Sequence, residues 1–221
     1  MNLYLFDVDR TLVLPGREKN FGEVIHKIFG IDVNDDKDYQ GLTDQIILSK
    51  KCSKSGVDKN TIHQNMAKLM EELERNYYKT FKPEDIKIIS GVHELLSAIQ
   101  KADHNLGLIT GNIKSIAYTK LQAVKLDNFF PLGGFGSDPH DTRSDLVKLA
   151  VKRAGYINSP DQVYVIGHTP RDIKASLDAG IQNAIAVSNG YCPIEELKTS
   201  GALAVLENFE NTELTLKKLG H

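Results

Sequence analysis

The chain has 221 residues, of which 41% are hydrophobic and 25% charged, and its formal net charge is −2. This composition is typical of a globular protein with room for one large core and a smaller insert, and it excludes a bulk positive field for nucleic acid or an anionic membrane. Charged residues interrupt each apolar run well short of the length of a transmembrane helix, and Cys52 and Cys192 are too far apart to form a metal-spaced pair. We therefore expect a cytoplasmic protein with reduced thiols and no targeting segment.

The first third of the chain begins with a strand and then becomes helical. The four apolar residues at 3–6 predict a buried strand over 2–6, and Pro15 and Gly16 break the pattern after it. Apolar residues then recur at helical spacing, which predicts helices over 21–29, from about 43, and over 58–78. We interpret residues 16–88 as an all-helical cap, and the long apolar stripe within it as packing between the cap helices.

From Ile88 onward, strand patterns alternate with helix patterns. We predict strands at 106–109, within 129–135, at 162–166 and at 184–187, with helices at 91–99, 115–124, 145–154 and 172–179. Such alternation is typical of a parallel sheet covered by helices on both faces. The expected fold class is therefore α/β, with a Rossmann-like parallel sheet core at 1–15 and 89–221, the inserted cap at 16–88, and hinges near Pro15 and near 88–90.

Two carboxylates stand where the first strand should end. Asp7 and Asp9 are two residues apart, so they point to the same side if the strand geometry persists. Two neighbouring carboxylates repel each other, and a bound divalent cation is the simplest group to offset that repulsion. Ligands of open α/β sheets bind outside the carboxyl ends of the strands. The alternative interpretation is a solvated turn, which aspartates also favour.

Residues 7–11, Asp-Val-Asp-Arg-Thr, resemble the Asp-x-Asp-x-Thr first motif of the haloacid dehalogenase superfamily. Thr110, Gly111 and Asn112 follow a predicted strand at a helix start, and they resemble the second motif of that superfamily. A hydroxyl group and the free N–H groups of a helix N-terminus both suit a phosphate. The resemblance implies that Thr110 and the backbone of Gly111 and Asn112 bind the phosphoryl group.

The third and fourth motifs of the superfamily are matched with departures. The basic residue usual at a helix start is Lys, and the matching position here is Arg143, with Lys148 a second candidate one turn later. Residues 167–172, Gly-His-Thr-Pro-Arg-Asp, match a Gly-Asp pattern with a second acid four residues on, but His168 replaces the first acid. Either Asp172 takes over as the metal-holding acid, or His168 shifts the metal preference toward Mn²⁺, Co²⁺ or a similar ion, or His168 only forms a hydrogen bond at the rim. Arg10 also replaces the glycine usual in the first motif.

The resemblance implies a metal-dependent phosphatase that hydrolyses a small organophosphate monoester through an aspartyl-phosphate. Asp7 would be the nucleophile and Asp9 the general acid–base. Arg143 and Thr110 would hold the phosphate, and Asp7, Asp9, Asp172 and His168 would be the candidate ligands of Mg²⁺, with Mn²⁺ or Co²⁺ as alternatives. The segment 40–45, Gln-Gly-Leu-Thr-Asp-Gln, resembles a cap segment of the phosphoglycolate-phosphatase-like branch, which also includes enzymes like β-phosphoglucomutase.

Other functions remain open from the sequence. A phosphomutase of the β-phosphoglucomutase type shares the fold and the style of cap, and a binding or regulatory protein with weakened catalysis is compatible with His168, Arg10 and Arg143. A dehalogenase is disfavoured because Asp9 is present, and a response-regulator receiver because it lacks a large helical insert. We expect a small-molecule phosphate ester as partner, neither nucleic acid nor membrane, and a monomer or homodimer.

Overall fold

A computed structural model describes residues 1–16, 18–33, 39 and 41–220, in which strands alternate with helices along most of the chain. The strands are β1 (Leu3–Phe6), β2 (Val13–Leu14), β3 (Lys87–Ile88), β4 (Asn105–Thr110), β5 (Gly133–Phe135), β6 (Val163–Gly167), β7 (Asn183–Val187) and β8 (Ala204–Leu206). The helices are α1 (Phe21–Phe29), α2 (Asp44–Lys54), α3 (Lys59–Thr80), α4 (Val92–Lys101), α5 (Lys114–Ala123), α6 (Arg143–Arg153), α7 (Pro170–Asp178), α8 (Ile194–Lys198) and α9 (Thr212–Lys218). Gln40, the first residue of the cap segment 40–45, lies outside the described residues.

Six strands form a parallel sheet in the order β5-β4-β1-β6-β7-β8. Strand β1 lies at its centre, where Phe6 pairs with Leu108 of β4 on one side and Ile166 of β6 on the other. All four residues of β1 are fully buried, as expected for an unbroken apolar run in a sheet that is covered on both faces. The α/β class with a parallel sheet core is confirmed.

The two faces of the sheet belong to two separate apolar clusters. Tyr4 and Phe6 pack into the cluster on one face, and Leu3 and Leu5 into the cluster on the other, because side chains alternate along a strand. The carboxyl ends of β1, β4 and β6 therefore lie side by side, fixed from both faces.

The helices between β2 and β3 share an apolar cluster, to which Ile113 and Ile116 of the core also belong. Val24 of α1, Leu48 of α2 and Leu73 of α3 belong to it and are fully buried. Antiparallel pairing of β2 with β3 brings together the two chain segments that lead into and out of this helical region. This arrangement agrees with an inserted cap, and the limits 16–88 stay a prediction. Among the residues described, no helix combines the length and the apolar character needed to cross a membrane.

The structure differs from the sequence-based expectation at several element ends. Helices α6 and α7 start two residues earlier than predicted, because Thr142 and Thr169 each form a capping box with the aspartate three residues later. Strands β2, β3 and β8 and helices α8 and α9 were not predicted, since two- and three-residue strands and helices of five to seven residues give almost no periodic signal.

Candidate active site

Asp7 directly follows β1, and its backbone N–H donates to the carbonyl of Ile166, so the chain is still held against β6 at this residue. Its side chain is 6% exposed, which makes the charge costly unless it is paired. Arg143 donates to Asp7 Oδ1 at 2.8 Å, and Nδ1 of His168 lies 3.2 Å from Oδ2. Both carboxylate oxygens of Asp7 are therefore paired with basic side chains.

Arg143 is the first residue of α6 and joins three groups of the site. Besides Asp7, its Nη2 lies 2.6 Å from Asp172 Oδ1, and its Nη1 donates to the carbonyl of Gly41 at 3.1 Å. Burial lowers the pKa of the Arg143 guanidinium, but the charges of Asp172 and Asp7 outweigh burial and raise it. The third sequence motif therefore holds a permanent positive charge against the first and fourth motifs.

Asp172 is fully buried beside the end of β6, and Gly167 makes room for it. A Cβ atom at Gly167 would lie 2.3 Å from Asp172 Cβ, so no larger residue fits there. Asp172 Oδ2 accepts hydrogen bonds from the backbone N–H groups of His168 and Thr169 and from the Thr169 hydroxyl, at 2.8–3.1 Å. Burial raises the pKa of Asp172, but Arg143, His168 and the Thr169 bonds outweigh burial and lower it. Asp172 is therefore held as a carboxylate.

His168 lies between the two aspartates. Its Nδ1 is 3.2 Å from Asp7 Oδ2, 3.8 Å from Asp172 Oδ2 and 3.3 Å from the Thr11 hydroxyl. Burial lowers the pKa of His168, but the hydrogen bond with Asp7 and the charges of both aspartates outweigh burial and raise it. His168 therefore lies inside the site and not at its rim.

A metal ion could be held by Asp7, His168 and Asp172. One potential ligand atom from each lies within 4.8 Å of the other two, and all three residues are buried. Asp172 Oδ1 is buried without a hydrogen bond of good geometry, although Arg143 lies beside it as an ionic partner. Two carboxylates and one imidazole fit a divalent cation, and the imidazole favours later transition metals over Mg²⁺.

Asp9 points to a different set of partners. Strand β1 ends at Phe6, so strand alternation does not extend through Asp9. The chain turns directly after Asp9, where Arg10 has a left-handed backbone with φ of 56°. Lys120 of α5 donates to both carboxylate oxygens of Asp9, at 2.7 and 2.8 Å, and Asn112 donates to Oδ2 at 3.1 Å. Burial raises the pKa of Asp9, but the positive charges of Lys120 and Lys19 outweigh burial and lower it. The side chain of Asp9 is not part of the possible metal-binding group.

Sequence reasoning missed Lys120. A signal for it does exist, because Lys120 lies on the buried face of α5 with Ile116, Ala117 and Leu121, where a lysine needs a partner. From the sequence we expected a metal ion to offset the mutual repulsion of Asp7 and Asp9. In the structure, Arg143 and Lys120 already reduce that repulsion.

The second motif, at residues 110–112, contacts the start of α2. The Thr110 hydroxyl accepts from the backbone and side-chain nitrogens of Asn112, at 3.2 and 2.8 Å. Gly111 contacts the helical region so closely that a Cβ atom there would lie 2.5 Å from the carbonyl oxygen of Leu42. Asp44 donates its backbone N–H to the carbonyl of Gly111, at 2.8 Å. The predicted phosphate-binding residues therefore form the contact between the core and the helical region.

Comparison with known families identifies this arrangement. The family model described as "Haloacid dehalogenase-like hydrolase" matches residues 4–186, which include all four motifs. The chain belongs to this family. No curated protein matches it in sequence.

Several solved structures share the fold of this chain. One is a predicted phosphatase from Clostridium acetobutylicum, with 23% identity, a TM-score of 0.70, and coverage of 100% of this chain and 99% of the other. A second is β-phosphoglucomutase from Clostridium difficile, with 16% identity, a TM-score of 0.72, and coverage of 100% and 97%. A third is a predicted phosphoglycolate phosphatase from Haemophilus somnus 129PT, with 17% identity, a TM-score of 0.66, and coverage of 98% and 97%.

Two further basic residues of this haloacid dehalogenase-like chain pair with residues other than Asp7. Lys148, the second candidate for the third motif, is exposed and lies 3.9 Å from Asp145. The guanidinium of Arg10 lies 5.4 Å from the centre of the Tyr191 ring and 3.6 Å from Glu18. Arg143 is therefore the residue of the third motif that contacts Asp7.

Proposed function

We propose that this protein is a metal-dependent phosphatase that hydrolyses a small organophosphate monoester through an aspartyl-phosphate intermediate. The observation that carries the proposal is the environment of Asp7. It is a buried carboxylate at the centre of the carboxyl edge of a parallel sheet, and Arg143 lies 2.8 Å away. A carboxylate held in this way can attack a phosphorus atom whose oxygens are bound by the same arginine.

In the first step, an oxygen of Asp7 forms a bond to phosphorus and the bond from phosphorus to the leaving oxygen breaks. Arg143, Thr110 and the loop at Gly111 bind the phosphoryl oxygens, which holds the ester in line with Asp7. Although burial raises the pKa of Asp9, Lys120 and Lys19 lower it overall in the free protein, so Asp9 must take up a proton as the ester binds. It then gives this proton to the leaving oxygen, and an alcohol departs.

In the second step, water takes the place of the alcohol. Asp9, now a carboxylate, accepts a proton from the water as the water oxygen bonds to phosphorus. The bond between phosphorus and Asp7 breaks, which restores the Asp7 carboxylate and releases inorganic phosphate.

A divalent cation would be held by Asp7, His168 and Asp172, with the backbone carbonyl of Asp9 as a further ligand. When bound, it would neutralise charge on the phosphoryl group. Mg²⁺, Mn²⁺ and Co²⁺ are the candidates.

The contact between the helical region and the second motif supports a small substrate. Gly41 accepts from Arg143, and Asp44 donates to Gly111, so the helical region covers the phosphate-binding groups directly. A site covered in this way excludes bulk water. A small-molecule phosphate ester is the proposed partner. The cytoplasmic location and the monomer or homodimer stay predictions.

A second candidate is a phosphomutase, which the likeness to β-phosphoglucomutase from Clostridium difficile favours. Such an enzyme passes the phosphoryl group from the aspartate to a sugar phosphate instead of to water. Formation of a sugar bisphosphate from sugar phosphates would distinguish it from a phosphatase.

The test is turnover of 4-nitrophenyl phosphate and of a broad panel of organophosphates, with Mg²⁺, Mn²⁺ or Co²⁺ and with a chelator. We expect metal-dependent release of phosphate by the wild type, and background rates for Asp7→Asn, which keeps the shape and removes the nucleophile. Asp161→Asn makes the same chemical change at an exposed position and should leave the rate unchanged. Substantial turnover by Asp7→Asn would rule out the aspartyl-phosphate, and a wild type without turnover on any ester would favour a binding or regulatory protein.

A further inference from the structure

Lys120 is a buried cation outside the four motifs. Its side chain is 2% exposed, and its ammonium group donates to both oxygens of Asp9 and to the side-chain oxygen of Asn112, at 2.7, 2.8 and 3.0 Å. An ammonium group has three protons to donate, so these three bonds use all of them. The position of the Asp9 carboxylate is therefore fixed by two bonds from one rigidly held donor.

The neighbours of Lys120 hold it in contact with Asp9. Asn112 also donates to Asp9 Oδ2, at 3.1 Å, which ties the carboxylate to the second motif. The ring of Tyr77, on α3 of the helical region, has its centre 5.8 Å from the Lys120 nitrogen. Lys19 donates to Asn112 at 2.8 Å and to Asp44, so a second lysine holds Asn112 in place.

The contacts of Lys120 differ from those of Arg143. Arg143 binds Asp7 and Asp172, whereas Lys120 binds Asp9, so each catalytic carboxylate has its own basic side chain. Loss of Arg143 would disturb the nucleophile and the phosphate. Loss of Lys120 would release the group that transfers protons and remove one bond to Asn112, which Lys19 also holds.

We propose that Lys120 is a positioning residue that holds Asp9 where it can protonate the leaving oxygen. This assignment rests on the proposed phosphatase function. It means that Lys120 matters most for esters whose leaving groups need a proton, and little for esters whose leaving groups depart as stable anions.

The test compares kcat/KM for phenyl phosphate and 4-nitrophenyl phosphate, which share a ring but differ in the basicity of the leaving phenol. In Lys120→Met, we expect kcat/KM for phenyl phosphate to fall about 100-fold, the lower end of what general acid–base catalysis supplies. For 4-nitrophenyl phosphate, we expect a fall of only a few-fold, with KM unchanged for both esters. Lys114→Met, an exposed lysine at the start of the same helix, should keep both values within twofold.

A second comparison does not depend on the stability of Lys120→Met. Asp9→Asn and the double variant Asp9→Asn/Lys120→Met leave no buried carboxylate that lacks a partner, and circular dichroism would check that both are folded. If Lys120 acts through Asp9, the two variants have the same ratio of kcat/KM for the two esters, within about threefold.

Four outcomes would overturn the assignment of Lys120. An equal fall for both esters in Lys120→Met would mean a general structural role, and an unchanged phenyl phosphate rate would mean no role. A further tenfold change of the ratio when Lys120→Met is added to Asp9→Asn would mean that Lys120 acts on another group. A wild type without turnover on either ester would overturn the phosphatase function and this assignment with it.

Discussion

Replacing Arg143 by alanine should destabilise the fold as well as remove activity. Arg143 is the shared cation of Asp7 and Asp172, whose side chains are 6% and 0% exposed. Removing one partner of a buried ion pair leaves uncompensated charge and costs about 3–5 kcal/mol. Arg143→Lys keeps a positive charge but loses the second nitrogen of the guanidinium group, and with it the bond to the Gly41 carbonyl. We therefore expect a smaller loss of stability, of about 1–2 kcal/mol.

Urea unfolding at neutral pH measures these differences. For a slope of about 2 kcal/mol per molar urea, the expected loss for Arg143→Ala lowers the midpoint by roughly 1.5–2.5 M. Turnover of 4-nitrophenyl phosphate should fall by about 10³-fold or more, as expected for a group that stabilises transferring phosphoryl charge. Lys148→Ala, on the exposed side of the same helix, is the matched control and should stay within about 0.5 kcal/mol of wild type.

The reasoning would be refuted by an Arg143→Ala variant within about 1 kcal/mol of wild type, or by Arg143→Lys and Arg143→Ala being equally destabilised. The first result would mean that the two carboxylates are neutralised without Arg143. The second would mean that the shape of the side chain matters and its charge does not.

Three further predictions concern other parts of the molecule. Because His168 replaces an acid, Mn²⁺ or Co²⁺ should support at least as much turnover as Mg²⁺. His168→Asp should lower the Mg²⁺ concentration needed for half activity. Metal titrations of both proteins measure this concentration, and it would be the same in both if His168 is not a ligand. Burial raises the pKa of Asp138, but two bonds from Arg153 and one from a backbone N–H outweigh burial and lower it. The Asp138 carboxylate therefore stabilises the fold at pH values above its unfolded pKa of about 3.9. This stabilisation is lost as the pH falls through the lower pKa of the folded state. Asp138→Asn should therefore cost about 1 kcal/mol at neutral pH and progressively less in urea titrations below about pH 4, whereas a cost independent of pH would exclude this origin. Gly111→Ala would place a Cβ atom 2.5 Å from the Leu42 carbonyl oxygen, so we expect the free energy of unfolding to fall by about 1–3 kcal/mol and kcat/KM to fall as well. Wild-type values for both would show that the backbone can move apart here without loss of stability.

The sequence predicted the parallel sheet and the residues of the four motifs because each of those features has a local signature. Asp7, Thr110, Arg143 and Asp172 each lie at a strand end or in the first turn of a helix, and the carboxyl ends of parallel strands meet at one edge of a sheet. The structure places Arg143 against both Asp7 and Asp172, as the order of the motifs suggests.

Contacts set by tertiary packing could not be predicted. The bond between Asp9 and Lys120 spans 111 residues, and nothing near Lys120 in the chain marks it as a partner of the first motif. Lys19 likewise reaches Asn112 from 93 residues away, through the position of a segment without regular structure. Asp7 and Asp9 both lie beyond the last residue of β1, where alternation no longer fixes the direction of a side chain, so the sequence could not place Asp9.

The central position of β1 has a consequence for how the chain is made. This strand is synthesised before the other strands of the sheet, but its neighbours are β4, which begins at residue 105, and β6, which begins at residue 163. At about 5–20 residues per second, β1 waits on the order of 5–20 s for its first partner and longer for its second. During that time an apolar strand with two open edges is exposed to other chains, which makes it a site of aggregation. Asp7, the proposed nucleophile at the end of β1, lacks its partners Arg143 and His168 until the segment at the start of α7 has been synthesised. We therefore expect a truncated chain to be inactive and prone to associate.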